Sequence, residues 1–208
     1  TCSEMYDNPE KSDCMVIFEI IKEACRVHEI ELDVRKYVDQ LEMPVGFEGF
    51  YDLEEAKAYA KKVGKPIFVD FTGKTCANCR EMEYYVWENP QVKSILQDKF
   101  VMVALYADVN TIKLSEKEWV KLEDGTVIKT LGKKNLNYQI SQFNVNAQPL
   151  YVLMDADGNV LTKKPQEYNK DVKNFLRFLN EGLQNFGKIK NKKMRFTSCN
   201  YGKKERKQ

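Results

Sequence analysis

The sequence predicts an α/β domain, a central mixed sheet flanked by helices, with an extra helix at its N-terminal end. Three observations carry this. Short β-branched and aromatic runs at Pro66–Thr72, Lys99–Tyr106 and Leu150–Met154 alternate with amphipathic helical stretches. The middle run is almost wholly apolar, the pattern of a strand buried on both faces. Two cysteines, Cys76 and Cys79, stand where the first run gives way to a helix. The chain of 208 residues is long enough to bury a core without disulfide staples. Its 43% hydrophobic and 31% charged residues exclude collagen-like and wholly disordered chains.

In chain order, residues 14–41 read as an amphipathic helix, with Val16, Ile17, Ile20, Ile21, Ala24, Val27, Val34, Tyr37, Val38 and Leu41 recurring at mostly helical spacing. Met43–Gly46 breaks the pattern and reads as a linker. Leu53–Lys62 is a short helix stopped by Gly64 and Pro66. Pro66–Thr72 is a buried strand, Gly73–Thr75 a turn, and Cys76–Trp87 a helix. Pro90 opens another helix at its favoured first position. Lys99–Tyr106 is the next strand. Residues 108–135 read as a polar insertion holding a hairpin around Asp124-Gly125. Leu136–Phe143 is helical. Leu150–Met154 and Asn159–Leu161 form a hairpin across residues 155–158, and Asp171–Phe186 is a closing amphipathic helix.

Charge divides the chain in the same way. Residues 1–45 carry 5 Lys/Arg against 11 Asp/Glu, residues 188–208 carry 9 against 1, and residues 46–187 carry 19 of each. The expected organisation is an acidic helical extension (1–45), a balanced central domain (46–187) and a basic tail (188–208). A charge run alone carries no sequence specificity, so nucleic acid is not an expected partner. The longest apolar run, Phe100–Ala107, is far short of a membrane span, and no secretory signal is visible. The chain starts at Thr1 rather than Met, as a processed product or a piece of a longer protein would.

Of the six cysteines, Cys2, Cys14, Cys25, Cys76, Cys79 and Cys199, only Cys76 and Cys79 form a local motif. A structural zinc site needs a second ligand pair. The single histidine, His28, is remote and reads as a helix-surface residue, so no metal is expected. Cys14 and Cys25 read as small buried hydrophobes. Strand, turn, Cys-x-x-Cys, helix is an arrangement that suits a reactive dithiol. Free backbone N–H groups at the helix start favour the thiolate of Cys76, and the thiolate is the nucleophile. Cys79, one turn on, is placed to resolve a mixed disulfide by closing a bond to Cys76. Asp70 lies inside a strand, where a carboxylate is costly unless it works or is paired. It is a candidate acceptor for the Cys79 proton. Glu83 follows Cys79 on the same helix face and either tunes that thiol or faces solvent. Pro149 is either a plain strand-opening proline or part of a cis Gln148–Pro149 turn beside the dithiol, where the Gln148 backbone would pair with an extended substrate segment.

Together, Phe68–Phe71, Cys76-x-x-Cys79 and Pro149 before a strand resemble the thioredoxin-like fold. More narrowly, Asp70–Glu83 (DFTGKTCANCREME), Val86-Trp87, Pro90–Val92, Asn146–Leu153 and Asp157-Gly158 resemble the C-terminal thioredoxin-like domain of the DsbD-type thiol:disulfide interchange protein. The likeness runs from about residue 49 to 186 and leaves the acidic head and basic tail outside it. It implies a protein-disulfide reductase that takes electrons from a membrane-embedded dithiol domain and passes them to protein disulfides in the periplasm. It also implies a role for Cys76 as nucleophile, Cys79 as resolving thiol, Asp70 and Glu83 as modulating acids and Pro149 as a cis proline. No cofactor beyond a redox-active Cys76–Cys79 disulfide is expected. A thioredoxin-like adaptor without redox turnover, and a disulfide isomerase or oxidant, are the alternatives.

Overall fold

The computed structural model describes the backbone of residues 35–204 and the side chains of residues 35–192. Two compact units divide between Arg35 and Lys36, and the elements below belong to the second. Most of the expected N-terminal helix, with Cys14, Cys25 and His28, lies outside the described residues. Its last part is not helical: residues 36–40 form a turn, and Tyr37 takes a left-handed φ of 63°.

α1 (Leu53–Val63) starts where the Asp52 carboxylate accepts from the N–H groups of Glu54 and Glu55, and stops at Gly64 with φ 66°. β1 (Ile67–Thr72) follows, then the short α2 (Ala77–Met82), which runs on as a π-helical turn over Glu83–Trp87. α3 (Pro90–Lys99) is capped by the Asn89 side chain and leads into β2 (Val101–Tyr106). β3 (Val120–Lys121) and β4 (Val127–Ile128) pair as the expected small hairpin. α4 (Leu131–Phe143), β5 (Leu150–Met154), β6 (Gln166–Glu167) and the long α5 (Val172–Lys204) complete the chain. The sheet order is β2-β1-β5-β6, with β1 parallel to β2 and antiparallel to β5. This is the mixed sheet flanked by helices that the sequence predicts.

Side-chain alternation along β1 divides the core. Phe68 points to one face, where its ring stacks on Tyr151 at 5.4 Å and meets Trp87 edge-on at 5.5 Å, among Met82, Phe175 and Leu179. Ile67, Val69 and Phe71 point to the other face, with Ala56, Ala60, Val103 and Val152. Asp70 shares the parity of Phe68, so the strand's period of two sets it on the side that α2 covers.

Five features differ from the sequence reading. Asn159–Leu161 is not a strand: Val160 makes a single bridge to Met154, and the strand paired with β5 on that side is β6. The linker around Met43 is built in: Leu41 and Phe47 are buried, and Met43 packs on the core. The 108–135 insertion is only partly polar, because Val109, Ile112, Leu114 and Leu131 close a third core cluster with Leu41 and Tyr106. α4 begins at Leu131 rather than Leu136. A Cβ on Gly132 would lie 2.8 Å from the backbone N and O of Val109, so only glycine lets this helix start so close to the chain after β2. Finally, α5 continues past Phe186 into the expected basic tail, with Ile189 still packed on the core. Among the described residues, no helix is long and apolar enough to cross a membrane.

Candidate functional site

Cys76 is the N-cap of α2, and its sulfur accepts the N–H of Cys79 at 3.1 Å. The two sulfurs form a disulfide, S–S 2.04 Å. Cys76 is partly exposed, while Cys79 is 1% exposed. An incoming protein therefore reaches Cys76 first. The same N–H that now meets its sulfur would stabilise a Cys76 thiolate after reduction.

Two acids lie on the inner side of this helix. Asp70 is 4% exposed, and among the described residues its Oδ1 has no hydrogen-bond partner. Burial, reinforced by the charge of Glu83 and opposed by Arg80, holds its carboxyl well above the usual carboxylate range. Glu83 is pushed up to about 7, again by burial and against the pull of Arg80. Arg80 pairs with Glu83 at 2.9 Å and donates to Thr72 Oγ1 at 3.2 Å, which ties α2 to the end of β1. The arrangement holds a neutral carboxyl and a second acid poised near neutrality, coupled to each other and to Arg80. Glu83 also lines a cavity of about 580 Å³ with Glu42, Arg80, Tyr84 and Tyr106, which gives it a path to solvent.

Gln148–Pro149 is cis, and Pro149 is buried at the start of β5. The Gln148 side chain donates to Gln139 Oε1 at 2.8 Å, and Gln139 donates to the Ala147 carbonyl at 2.7 Å. These bonds pin the loop to α4. Gln148 and Cys76 line one shallow cavity of about 330 Å³. All six residues singled out in the sequence thus fall in one region: the acids beneath α2, the dithiol at its head, and the Gln148–Pro149 loop across the cavity from Cys76.

Two further residues belong to the site and were not singled out. One is Arg80. The other is Asp108, whose Oδ1 accepts from Lys74 N at 2.9 Å and whose Oδ2 accepts from Thr75 N at 3.0 Å and Thr75 Oγ1 at 3.1 Å. Burial works against its charge, yet these hydrogen bonds together hold its carboxyl below the ordinary value. A Cβ on Gly73 would lie 2.8 Å from Asp108 Oδ2, so the glycine admits the carboxylate. The available signal was an acid ending an apolar strand opposite a Gly-Lys-Thr turn.

A mixed sheet bearing a dithiol of this kind defines a thiol–disulfide oxidoreductase. The matching family model, described as thioredoxin-like, spans residues 49–156. The chain belongs to the thioredoxin-like family. It is similar to the thiol:disulfide interchange protein DsbD of Ralstonia nicotianae, at 28% identity over 108 residues, 52% of this chain and 14% of that protein. A shorter likeness, 38% identical over 53 residues, covers 26% of this chain and 9% of DsbD from Salmonella typhi. The chain thus spans a small part of the curated relatives it matches. Among solved structures, a DsbH oxidoreductase matches with TM-score 0.46 and 19% identity over 76% of this chain and 98% of that one. The oxidised C-terminal domain of Neisseria meningitidis DsbD matches with TM-score 0.44 and 15% identity, over 65% and 99%.

Proposed function

We propose that this domain is a DsbD-type protein-disulfide reductase acting on the periplasmic side of a membrane, loaded with electrons by a membrane-embedded dithiol donor. The observation that carries the reading is the asymmetry of the pair: a partly exposed Cys76 at the head of α2, and a buried Cys79 on the same helix as Arg80, whose charge acts on a carboxyl held protonated. In the reduced domain, the Cys76 thiolate attacks one sulfur of a substrate disulfide. A Cys76–substrate S–S bond forms, the substrate bond breaks, and the leaving sulfur takes a proton. Cys79 then gives up its proton to Asp70 as Asp70 passes its own to the Glu83 carboxylate, and the Cys79 sulfur attacks Cys76. The Cys76–Cys79 bond closes and the second substrate sulfur leaves as a thiol. Two electrons pass from the dithiol to the substrate; of the two protons its sulfurs gain, one derives from Cys79 by way of the acids and one from solvent, because Cys76 reacts as the thiolate. The chemistry needs no group beyond the disulfide itself.

Gln148, across the cavity from Cys76, supplies the backbone against which an extended substrate strand pairs, which brings its disulfide to Cys76. A Cys79→Ala variant, reduced and mixed with periplasmic extract, is expected to accumulate a mixed disulfide at Cys76. Mass spectrometry of the adduct reads both the site and the partner. A variant that forms no adduct, or forms it on another cysteine, would defeat the assignment.

A further inference from the structure

Asp108 lies two residues past the end of β2, and the side-chain hydrogen bonds it accepts come from the turn that delivers Cys76. It accepts from two successive backbone N–H groups and one hydroxyl of that turn. It is also the one charged side chain, among the described residues, that lines the cavity shared by Cys76 and Gln148. The other charges around the dithiol are turned elsewhere. The Lys74 ammonium donates to the Gln40 carbonyl at 3.0 Å and lines the opposite cavity with Glu42. Arg80 is paired with Glu83 on α2, and Asp70 lies buried beneath that helix on β1.

We propose that Asp108 is a positioning residue that sets the reducing power of the pair: it clamps the Gly73–Thr75 turn, and its charge, facing the cavity over Cys76, disfavours the Cys76 thiolate. This inference rests on the reductase reading and deepens it. A helix N-terminus alone would make Cys76 acidic and stabilise the reduced form, which is the route to an oxidant. A fixed negative charge on the cavity that Cys76 lines works the other way, and the dithiol becomes the better electron donor. Oxidation of the pair closes the Cys76–Cys79 bond and hands on two electrons. Two protons go with them from two thiols, or one if Cys76 is already a thiolate, so the effect on the equilibrium appears above the Cys76 pKa.

The test is alkylation of the reduced protein as a function of pH, with Cys76 followed by peptide mass spectrometry. In Asp108→Asn, the pH of half-maximal Cys76 labelling is expected to fall by about 0.5–1 unit, the effect of removing one partly screened charge. Asp108→Ser, which also lacks the charge, repeats the reading should the first variant fold poorly. Asp108→Glu, which keeps the charge but not the spacing, is expected to leave the midpoint in place. An unchanged or raised midpoint in the neutral variants, or an equal fall in Asp108→Glu, would overturn the inference. The measurement needs neither partner nor turnover, so it stands apart from failure of the reductase reading, which would show as absent redox exchange in the unaltered protein.

Discussion

A Cys76→Ser variant is expected to lose disulfide reduction, its rate falling roughly 10³-fold or more toward the background. The reason lies in the geometry of α2. Cys79 is 1% exposed and packed beneath its own helix, so it cannot substitute as the attacking sulfur. A serine hydroxyl at 76 would cap the helix as the sulfur does now, so the fold should persist while the nucleophile is lost. Reduction of a small disulfide by the pre-reduced variant, beside its thermal unfolding curve, checks both halves. Substantial activity in a folded Cys76→Ser protein would assign the first attack to another group.

Asp70→Asn is expected to move stability and rate in opposite directions. The Asp70 carboxyl is held well above its ordinary value of 3.8, and burial is the main cause. The unfolded chain releases this proton near the ordinary value, whereas the folded chain keeps it. Wild-type stability therefore falls as pH rises above that value and until the folded carboxyl itself ionises. Glu83, raised to about 7, adds to the same slope up to neutrality. The amide has no proton to lose, so Asp70→Asn should be about as stable as wild type near pH 4. By pH 8 it should be the more stable of the two, because only the wild-type chain loses folding free energy as its unfolded carboxyl ionises. Urea unfolding at the two pH values reads the difference. The same variant removes the carboxyl that relays the Cys79 proton to Glu83, and closing of the mixed disulfide should slow by roughly 10²-fold. Equal stability at both pH values with an unaltered closing rate would remove Asp70 from the mechanism.

What the sequence disclosed follows the range of its signals. The dithiol, its helix and the strand before it are announced within a few residues. Asp70 is placed under α2 by the period of β1, and Glu83 beside it by one helical turn. The partners of Asp108, by contrast, lie 33 and 34 positions away in the chain, where no local pattern reaches. The start of α4 depends on Gly132 fitting against the backbone of Val109, a tertiary contact that looks like a loop glycine in the sequence. Helical spacing from Val34 through Tyr37 and Val38 to Leu41 extended the predicted N-terminal helix too far. The left-handed Tyr37 turns that stretch so that Leu41 is buried against Tyr106 and Leu131. α5 outruns the apolar stripe read up to Phe186 because lysine is itself a good helix former, and Ile189 is still packed on the core.

The most direct test of the account is an equilibrium titration of the wild-type domain in glutathione buffers of stepped redox poise, with Cys76 and Cys79 followed by thiol trapping. The account predicts one reversible transition, fitted by two electrons, in which both cysteines gain and lose reactivity together. A pair that stays in one state across the whole range, or two cysteines that respond independently, would contradict it.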